Sequence, residues 1–389
     1  MLLKLSNWFW NENFWLPPNV TWRILDERRS ESFAQFSDLV HPFPMAFFFL
    51  LIRFFVEKFW WAPLGRMRGL RAAKTKRPLP VKQLETAYLK SRRWTHKQIS
   101  QFAEELQMTE RQVDRWLRLR KLQDSPDKLT RFTETGWQFS YYLFIFCFGL
   151  KVMWNKSWFW DIRYCFYDLP FHPVDNDVWW YYMLSLAFYW SMLFRHFFDV
   201  KHKDFWEMFI HHVVTVGLLT LSWSCNFTRI GTLVLLVHDV SDIFLLGAKM
   251  LKYASLQTLC DITFAVFVVI WIVTRLVIFP FWIVYSTSYD ATFIVRMFPA
   301  YYVFNGLLIC LLVLHCIWTY YIMLVAYRAL LAGQMSGDSR SDSSADEVSS
   351  NEASDNDHTG HLAAESVTTS YGDQTSDGAT VTRRVKSTN

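Results

Sequence analysis

The sequence predicts an all-α protein that crosses a membrane about seven times. Apolar residues make up 52% of its 389 residues and are gathered into separate blocks. Each block has the roughly 20 residues that a helix needs to cross hydrocarbon, at about 1.5 Å per residue. Charged residues are concentrated between and after the blocks. The predicted spans are roughly 42–62, 137–155, 178–197, 206–225, 230–248, 261–283 and 298–327.

Basic residues predict which side of the membrane each connection faces. Residues 64–131 hold 18 Lys and Arg against 7 Asp and Glu, and further basic residues follow the third and fifth spans. Because cytosolic connections carry the excess positive charge, these connections are predicted to be cytosolic. With seven spans, the N-terminus is then lumenal and the C-terminus cytosolic. Asn and Glu interrupt the first 15 residues, so no cleaved signal peptide is expected.

The predicted lumenal residues include one glycosylation acceptor and two cysteines. Asn19 begins an Asn-Val-Thr acceptor in the N-terminal segment 1–41. The 6 cysteines contain no Cys-x-x-Cys pair, which gives no indication of a zinc ribbon or a thioredoxin-type site. Cys165 and Cys225 both fall on the oxidising lumenal side. They could form a disulfide or remain two unpaired thiols, and the sequence leaves both alternatives open.

Residues 63–130, between the first span (42–62) and the rest, are predicted to form a small cytosolic domain. Thr95 and Thr109 each begin a capping box with the Gln three residues later, and apolar residues follow at helical spacing. Residues 95–122 are therefore predicted to form a helix, a tight turn and a second helix.

This segment resembles the second half of a homeodomain. Trp116 stands at the position of the core Trp of the recognition helix, and the basic residues Arg118, Arg120 and Lys121 follow it. However, Leu119 occupies the position of the adenine-reading Asn and cannot make its bidentate contact. Sequence-specific DNA binding is therefore not expected. The favoured alternative is a module whose basic face contacts anionic headgroups or partner proteins.

The C-terminal segment, residues 333–389, is predicted to be disordered. It is rich in Ser and carries 10 acidic and 4 basic side chains, with too few apolar residues to bury a core. Ser341, Ser343 and Ser344 precede acidic residues, as sites of acidophilic kinases do. Phosphorylation there would add negative charge to a cytosolic tail.

Two neighbouring spans carry titratable side chains in their predicted cytosolic halves. His211 and His212 are adjacent in one span, and His238, Asp239 and Asp242 lie in the next. His238 and Asp242 share a helical face because they are four residues apart. The short connection between the spans makes them antiparallel neighbours, so imidazoles and carboxylates can meet. Titratable groups at this depth are costly, and they usually mark a functional site.

The chemistry of this cluster has several readings. Neutral imidazoles beside carboxylates can act as bases, nucleophiles or metal ligands near pH 7, or they can hold the helices together by hydrogen bonds. No metal is expected, because the repeated His-x-x-His-His clusters of membrane di-iron enzymes are absent. For the charged residues at the cytosolic surface, the alternative to substrate binding is a solvated loop. The candidate substrate-binding residues are Arg195, Asp199, Lys203, Asp204, Glu207, Arg275 and His315.

The motifs around this cluster resemble those of ceramide synthases. The matching residues are His211-His212-x-x-Thr215, Asn226-x-x-Arg229-x-Gly231, His238-Asp239-x-x-Asp242, Ala248-Lys249 and Leu314-His315-x-x-Trp318. The likeness covers residues 1 to about 332 and implies a TLC-type catalytic bundle of six helices over residues 131–332. It also implies residence in the endoplasmic reticulum and N-acylation of a sphingoid base by acyl-CoA, with no other cofactor. Leu246 departs from the family, which often has Glu there.

Two catalytic routes are open for this reaction. A neutral His could take the proton of the substrate ammonium, or it could attack the thioester and form an acyl-imidazole. His211 is the predicted nucleophile or base and His212 its neighbour in proton transfer. Asp239 and Asp242 would orient and stabilise the imidazolium, and His238 would support them.

The resemblance leaves three further points. In the family, the choice of acyl length is associated with the lumenal loop between the last two spans, here about 284–297. Whether the protein forms a homodimer or a heterodimer is left open. The alternative function is a non-catalytic TLC-type membrane protein that binds lipid or assists translocation.

Overall fold

In this computed structural model the chain is described over residues 8–27, 34–70, 78–92, 94–124, 127–198 and 204–332. Every regular element within these ranges is helical, which confirms the predicted all-α fold. The principal helices are α1 (Pro42–Val56), α2 (Lys82–Lys90), α3 (His96–Glu105), α4 (Glu110–Asp124), α5 (Lys128–Met153), α6 (Asn176–Arg195), α7 (Phe205–Ser224), α8 (Thr228–Tyr253), α9 (Gln257–Trp271) and α10 (Pro299–Ala332).

Five stretches of the described residues are long and apolar enough to cross a membrane. They are Phe36–Met67, Phe205–Ser224, Thr228–Tyr253, Gln257–Ile294 and Pro299–Leu331. The other two predicted spans form α5 and α6, which have 26 and 20 residues. Both contain several Tyr and Trp side chains, whose polar groups make them less apolar than aliphatic residues. A multi-pass membrane protein is confirmed, and the count of seven spans stays a prediction.

α8 lies at the centre of the bundle. It packs most extensively against α5 and α9, and it also contacts α6 and α7. α1 packs against α6, and a π-helical turn at Glu57–Trp61 continues α1 onto α5. The titratable residues of α8 are therefore surrounded by other helices, as polar groups within a membrane must be.

The last connection of the bundle is shorter than the sequence indicates. After α9 the chain continues as a π-helix over Ile272–Val284 and Ser286–Asp290 and as an α-helix over Ala291–Ile294. Pro280 lies inside this π-helix, where its missing N–H removes one bond of the i to i−5 ladder without ending the helix. Most of the expected loop at 284–297 is consequently helical, and only residues 295–298 separate it from α10.

The segment predicted to be cytosolic includes helices α2 to α4 among its described residues. Both capping boxes are present: Thr95 pairs with Gln98, and Thr109 pairs with Gln112. The predicted helix, turn and helix are therefore confirmed as α3 and α4. The sequence analysis missed α2, which packs into the same core. That core consists of Leu84, Tyr88, Ala103, Val113, Trp116 and Leu117. The likeness to a homeodomain stays a prediction.

The residues predicted to be lumenal include the acceptor Asn19, which is exposed in a turn with φ of 70°. Its glycosylation stays a prediction. Cys165 and Cys225 are both buried free thiols. They pack in separate apolar clusters, Cys165 with the main core of the bundle and Cys225 with Trp15 and Phe298. The structure thus has two unpaired thiols rather than a disulfide.

Candidate active site

Two cavities of opposite character meet at the histidines of α7 and α8. One cavity of about 1420 Å³ is polar, and the other, of about 1040 Å³, is almost entirely apolar. His211 and His238 line both. A molecule with a polar head and a long apolar chain could therefore occupy both cavities with its junction beside these imidazoles.

The polar cavity lies at the end of the bundle from which the basic segment 64–131 extends. Its wall includes Lys249 near the end of α8 and Asp204 just before α7. Seven of the predicted site residues line it: Asp204, His211, His212, His238, Asp242, Arg275 and His315. The sequence analysis therefore grouped these residues correctly in space, and their roles stay predictions.

The apolar cavity extends to the opposite end of the bundle. Its wall is made of aliphatic and aromatic residues of α7, α8 and α10, together with residues of the last connection. The lining residues from that connection and the helix before it are Thr287, Ala291, Val295, Met297 and Phe298. The segment that the family resemblance associates with acyl length thus forms part of this wall.

His238 and His315 form a hydrogen-bonded pair between α8 and α10. Their Nε2 atoms are 3.2 Å apart, and Nδ1 of His238 is 2.6 Å from the carbonyl oxygen of Val234. A carbonyl oxygen can only accept, so Nδ1 of neutral His238 carries the hydrogen and its Nε2 has a lone pair. His315 must then donate from Nε2. Its own Nδ1, which is left as an acceptor, has no partner among the described residues.

Arg275 joins this pair to the carboxylate of α8. Its Nη2 donates at 2.9 Å to both the carbonyl oxygen of His238 and the hydroxyl of Ser241, and it lies 3.5 Å from Oδ2 of Asp242. The guanidinium also packs over the ring of Trp271. Nε and Nη1 of Arg275 have no partner within the described part of the chain. The buried guanidinium is thus held firmly in the cavity wall, while its Nε and Nη1 atoms keep N–H groups that pair with no described residue.

His211 and His212 project from α7 toward α6 and α10. Their ring centroids are 5.5 Å apart, and the His211 ring is 5.3 Å from that of Trp318. Tyr189 of α6 lies 6.4 Å from both imidazoles. The Nδ1 atoms of both histidines are without a hydrogen-bond partner in the ranges that the structure describes. Each of the two rings therefore keeps a nitrogen atom that can still form a hydrogen bond with a substrate.

The structure separates the other predicted residues. Asp239 lines neither cavity and is buried beside Tyr181 of α6. Arg195 and Glu207 also line neither cavity, whereas Asp204 is buried in the wall of the polar one. The catalytic prediction for Asp239 and the binding predictions for Arg195 and Glu207 are not supported by contact with a cavity. The predictions for Asp199 and Lys203 lie outside the described residues.

Several polar residues of the cavity were missed by the sequence analysis. Arg53 of α1 is buried there and pairs with Glu57 at 2.5 Å and with Glu134 of α5 at 3.4 Å. A charged side chain within a predicted span was an available signal. Gln138 was missed as well, whereas Trp318, which also lines this cavity, belongs to the motif Leu314-His315-x-x-Trp318. In the described residues, no group of three or more His, Cys, Asp or Glu side chains is placed to hold a metal ion.

Comparison with known proteins identifies the family. The TLC domain matches residues 131–324. The chain is 38% identical to ceramide synthase 5 of Homo sapiens over 343 residues, which are 88% of both chains. It is 40% identical to Homo sapiens ceramide synthase 4 over 343 residues, 88% of this chain and 87% of the relative. The chain belongs to the ceramide synthase family. Ceramide synthase hyl-1 of Caenorhabditis elegans is 35% identical over 351 residues, 87% of this chain and 84% of the relative.

Membership of the ceramide synthase family gives a context for Leu246. Its side chain is buried and lines the polar cavity, three residues before Lys249. A carboxylate is absent from this place, and the nearest acidic residue along α8 that lines the cavity is Asp242. In this member of the family, Asp242 is consequently the acidic side chain that α8 presents to the cavity.

Proposed function

We propose that the protein transfers a fatty acyl group from acyl-CoA to the amine of a sphingoid base and so forms ceramide. The observation that carries the proposal is the meeting of a polar and an apolar cavity at His211. An acyl thioester has the same division into a polar head and an apolar chain. Membership of an acyltransferase family supports the same reaction.

The apolar cavity is the proposed site of the acyl chain. Its lining of Leu, Val and Phe side chains removes the chain from water, which favours binding by about 0.8 kcal/mol for each buried CH₂. It also keeps water from the activated ester, which would otherwise hydrolyse. The polar cavity would receive the CoA end, where the cationic side chains of Arg53, Lys249 and Arg275 stand beside the carboxylates of Glu134, Asp204 and Asp242 as polar groups for the head.

The reaction breaks the carbon–sulfur bond of the thioester and forms a carbon–nitrogen bond. In one route His211 takes a proton from the substrate ammonium, the free amine attacks the carbonyl carbon, and CoA leaves as the thiol with the proton that His211 held, while the new amide nitrogen releases its remaining extra proton. In the other route His211 attacks first, CoA leaves as the thiol, and the amine then displaces the imidazole from the acyl group. His212 accepts or returns protons beside it. Asp242, tied to Arg275, lies on the same wall and orients the imidazoles.

The proposed location is the membrane of the endoplasmic reticulum, with the N-terminus in the lumen and the C-terminus in the cytosol. The excess of Lys and Arg in residues 64–131 supports this orientation. The polar cavity would then open toward cytosolic acyl-CoA. Glycosylation of the exposed Asn19 would agree with a lumenal N-terminus, and it stays a prediction. The predicted phosphorylation sites Ser341, Ser343 and Ser344 lie outside the described residues.

The first experiment measures amide formation by purified protein in lipid vesicles given labelled acyl-CoA and sphinganine. We expect one CoA released for each amide formed, and Asp242→Asn should lower kcat by about 10²-fold, as loss of a positioned acid–base partner does. Protein treated with acyl-CoA alone and then denatured would carry a covalent acyl group only in the acyl-imidazole route. Lipid binding without any amide would instead indicate the non-catalytic alternative.

A further inference from the structure

The indole N–H of Trp318 is buried beside His211 with nothing to donate to. The side chain is 5% exposed, and Nε1 has no acceptor among the residues that the structure describes. Buried N–H groups are almost always paired, since an unpaired one costs about 1–3 kcal/mol. Trp318 lies in the wall of the polar cavity, with its ring 5.3 Å from the ring of His211. This unpaired donor therefore lies next to His211, in the wall against which a bound substrate would pack.

Other buried tryptophans of the bundle have their donors satisfied. Trp271, which lines the same cavity, donates from Nε1 to the hydroxyl of Thr319 at 2.9 Å. Trp223 donates to the carbonyl oxygen of Gln35 at 2.9 Å, and Trp61 donates to Ser140 at 3.1 Å. The lack of a partner is thus not a general property of tryptophans in this fold.

The chemistry of the donor indicates its acceptor. An indole N–H only donates, so it binds a lone pair and has no use for an ammonium group. In either catalytic route, attack on the acyl carbonyl carbon moves an electron pair onto the carbonyl oxygen. That oxygen carries negative charge only in the tetrahedral intermediate. A neutral donor fixed by packing stabilises such an oxygen without any rearrangement, because it is already in place.

We propose that Trp318 is a catalytic residue, whose N–H donates to the carbonyl oxygen of the acyl group during its transfer at His211. The proposal rests on the proposed function and names one more group that touches the reacting atoms. No proton moves from the indole. The electron pair returns from the oxygen when the carbon–sulfur bond breaks and CoA leaves. The unpaired Nη1 of Arg275, in the wall of the same cavity, adds positive charge to this region.

The substitution Trp318→Phe removes the N–H and keeps an aromatic ring. Loss of one such donor lowers kcat by about 10²–10³-fold, and we expect the KM for acyl-CoA to change by less than about threefold, because the bond strengthens only as charge develops. The matched control is Trp223→Phe, which removes an N–H that already has a partner within the protein, at a buried tryptophan that lines neither cavity. We expect this control to keep its kcat within about threefold of the unaltered protein.

A second measurement separates catalysis from structure. An alkyl-CoA thioether has the chain and the head of the substrate but no carbonyl oxygen. We expect it to bind Trp318→Phe and the unaltered protein equally well. A full kcat in Trp318→Phe, an equal loss in both variants, weaker thioether binding or a failure of Trp318→Phe alone to fold would each overturn the proposal. If the unaltered protein forms no amide, the proposed function fails before this comparison is reached.

Discussion

His172 shows how burial determines the protonation of a single side chain outside the spans. It lies between α5 and α6, is 1% exposed, and donates from Nε2 to the carbonyl oxygen of Tyr167. Its Nδ1 is buried and has no partner within the described ranges. Burial lowers the pKa of His172 to about 4, because a second N–H would be desolvated with no acceptor.

The stability of the protein should depend on pH through this residue. As the pH falls from about 6.5 to about 4, the unfolded chain binds a proton at His172 and the folded protein does not, so stability is lost over this window. His172→Gln keeps an N–H donor but does not titrate. We expect the melting temperature of this variant to fall less between pH 7 and pH 4.5 than that of the unaltered protein. Equal falls in thermal unfolding experiments would contradict this explanation.

Residue spacing accounts for the part of the site that could be predicted. His238 and Asp242 are four residues apart on one helix, and a short turn joins α8 to the helix of His211, so local rules bring these side chains together. Arg53 and Trp318 reach the same cavity from helices far away in the sequence. Their positions depend on how α1 and α10 pack against the bundle, and no spacing within a single helix contains that information.

At the scale of helices, Gly136 allows α5 to approach α1 closely. A Cβ atom at this position would lie 2.5 Å from the ring of Trp61, which is held by its hydrogen bond to Ser140. The hydrogen bond of its N–H and the close packing against its face hold the Trp61 ring in place, so the ring cannot easily move aside. The first span is therefore fixed against the catalytic bundle by a contact that only glycine permits.

Gly136→Ala should destabilise the protein by about 1–3 kcal/mol, as overpacking of a tight contact does. The control is Gly217→Ala in α7, where a Cβ atom would meet nothing within 4 Å. This control should be neutral or stabilising by up to about 1 kcal/mol, since Ala favours helix more than Gly does. Thermal unfolding in detergent measures both. Equal stability of the two variants would show that the contact between α1 and α5 does not limit stability.

Local signals also explain which helices could be predicted. The capping boxes at Thr95 and Thr109 mark the starts of α3 and α4, because their hydrogen bonds form within one turn. The continuation of α9 to Ile294 has no such signal, since its π-helical winding depends on contacts with neighbouring helices. For this reason the prediction of a loop at 284–297 was mostly wrong.

On the scale of the whole molecule, two cavities from opposite ends of the bundle meet at the imidazoles of His211 and His238. The proposed function assigns the acyl chain to the apolar cavity, the head to the polar cavity and the reacting carbonyl to the neighbourhood of His211. This arrangement needs α1 and helices α5 to α10 together, so no isolated segment of the chain would contain it. The family and its reaction class could be predicted from motifs, whereas the division into two cavities required the packed structure.

The most direct test of this account compares His211→Ala with the unaltered protein in the amide-forming assay. His96→Ala is the matched control, because its imidazole is 84% exposed on α3 and lies outside both cavities. We expect His211→Ala to reduce kcat by at least about 10²-fold and His96→Ala to leave it unchanged. Full turnover by folded His211→Ala protein would contradict the claim that acyl transfer takes place at this histidine.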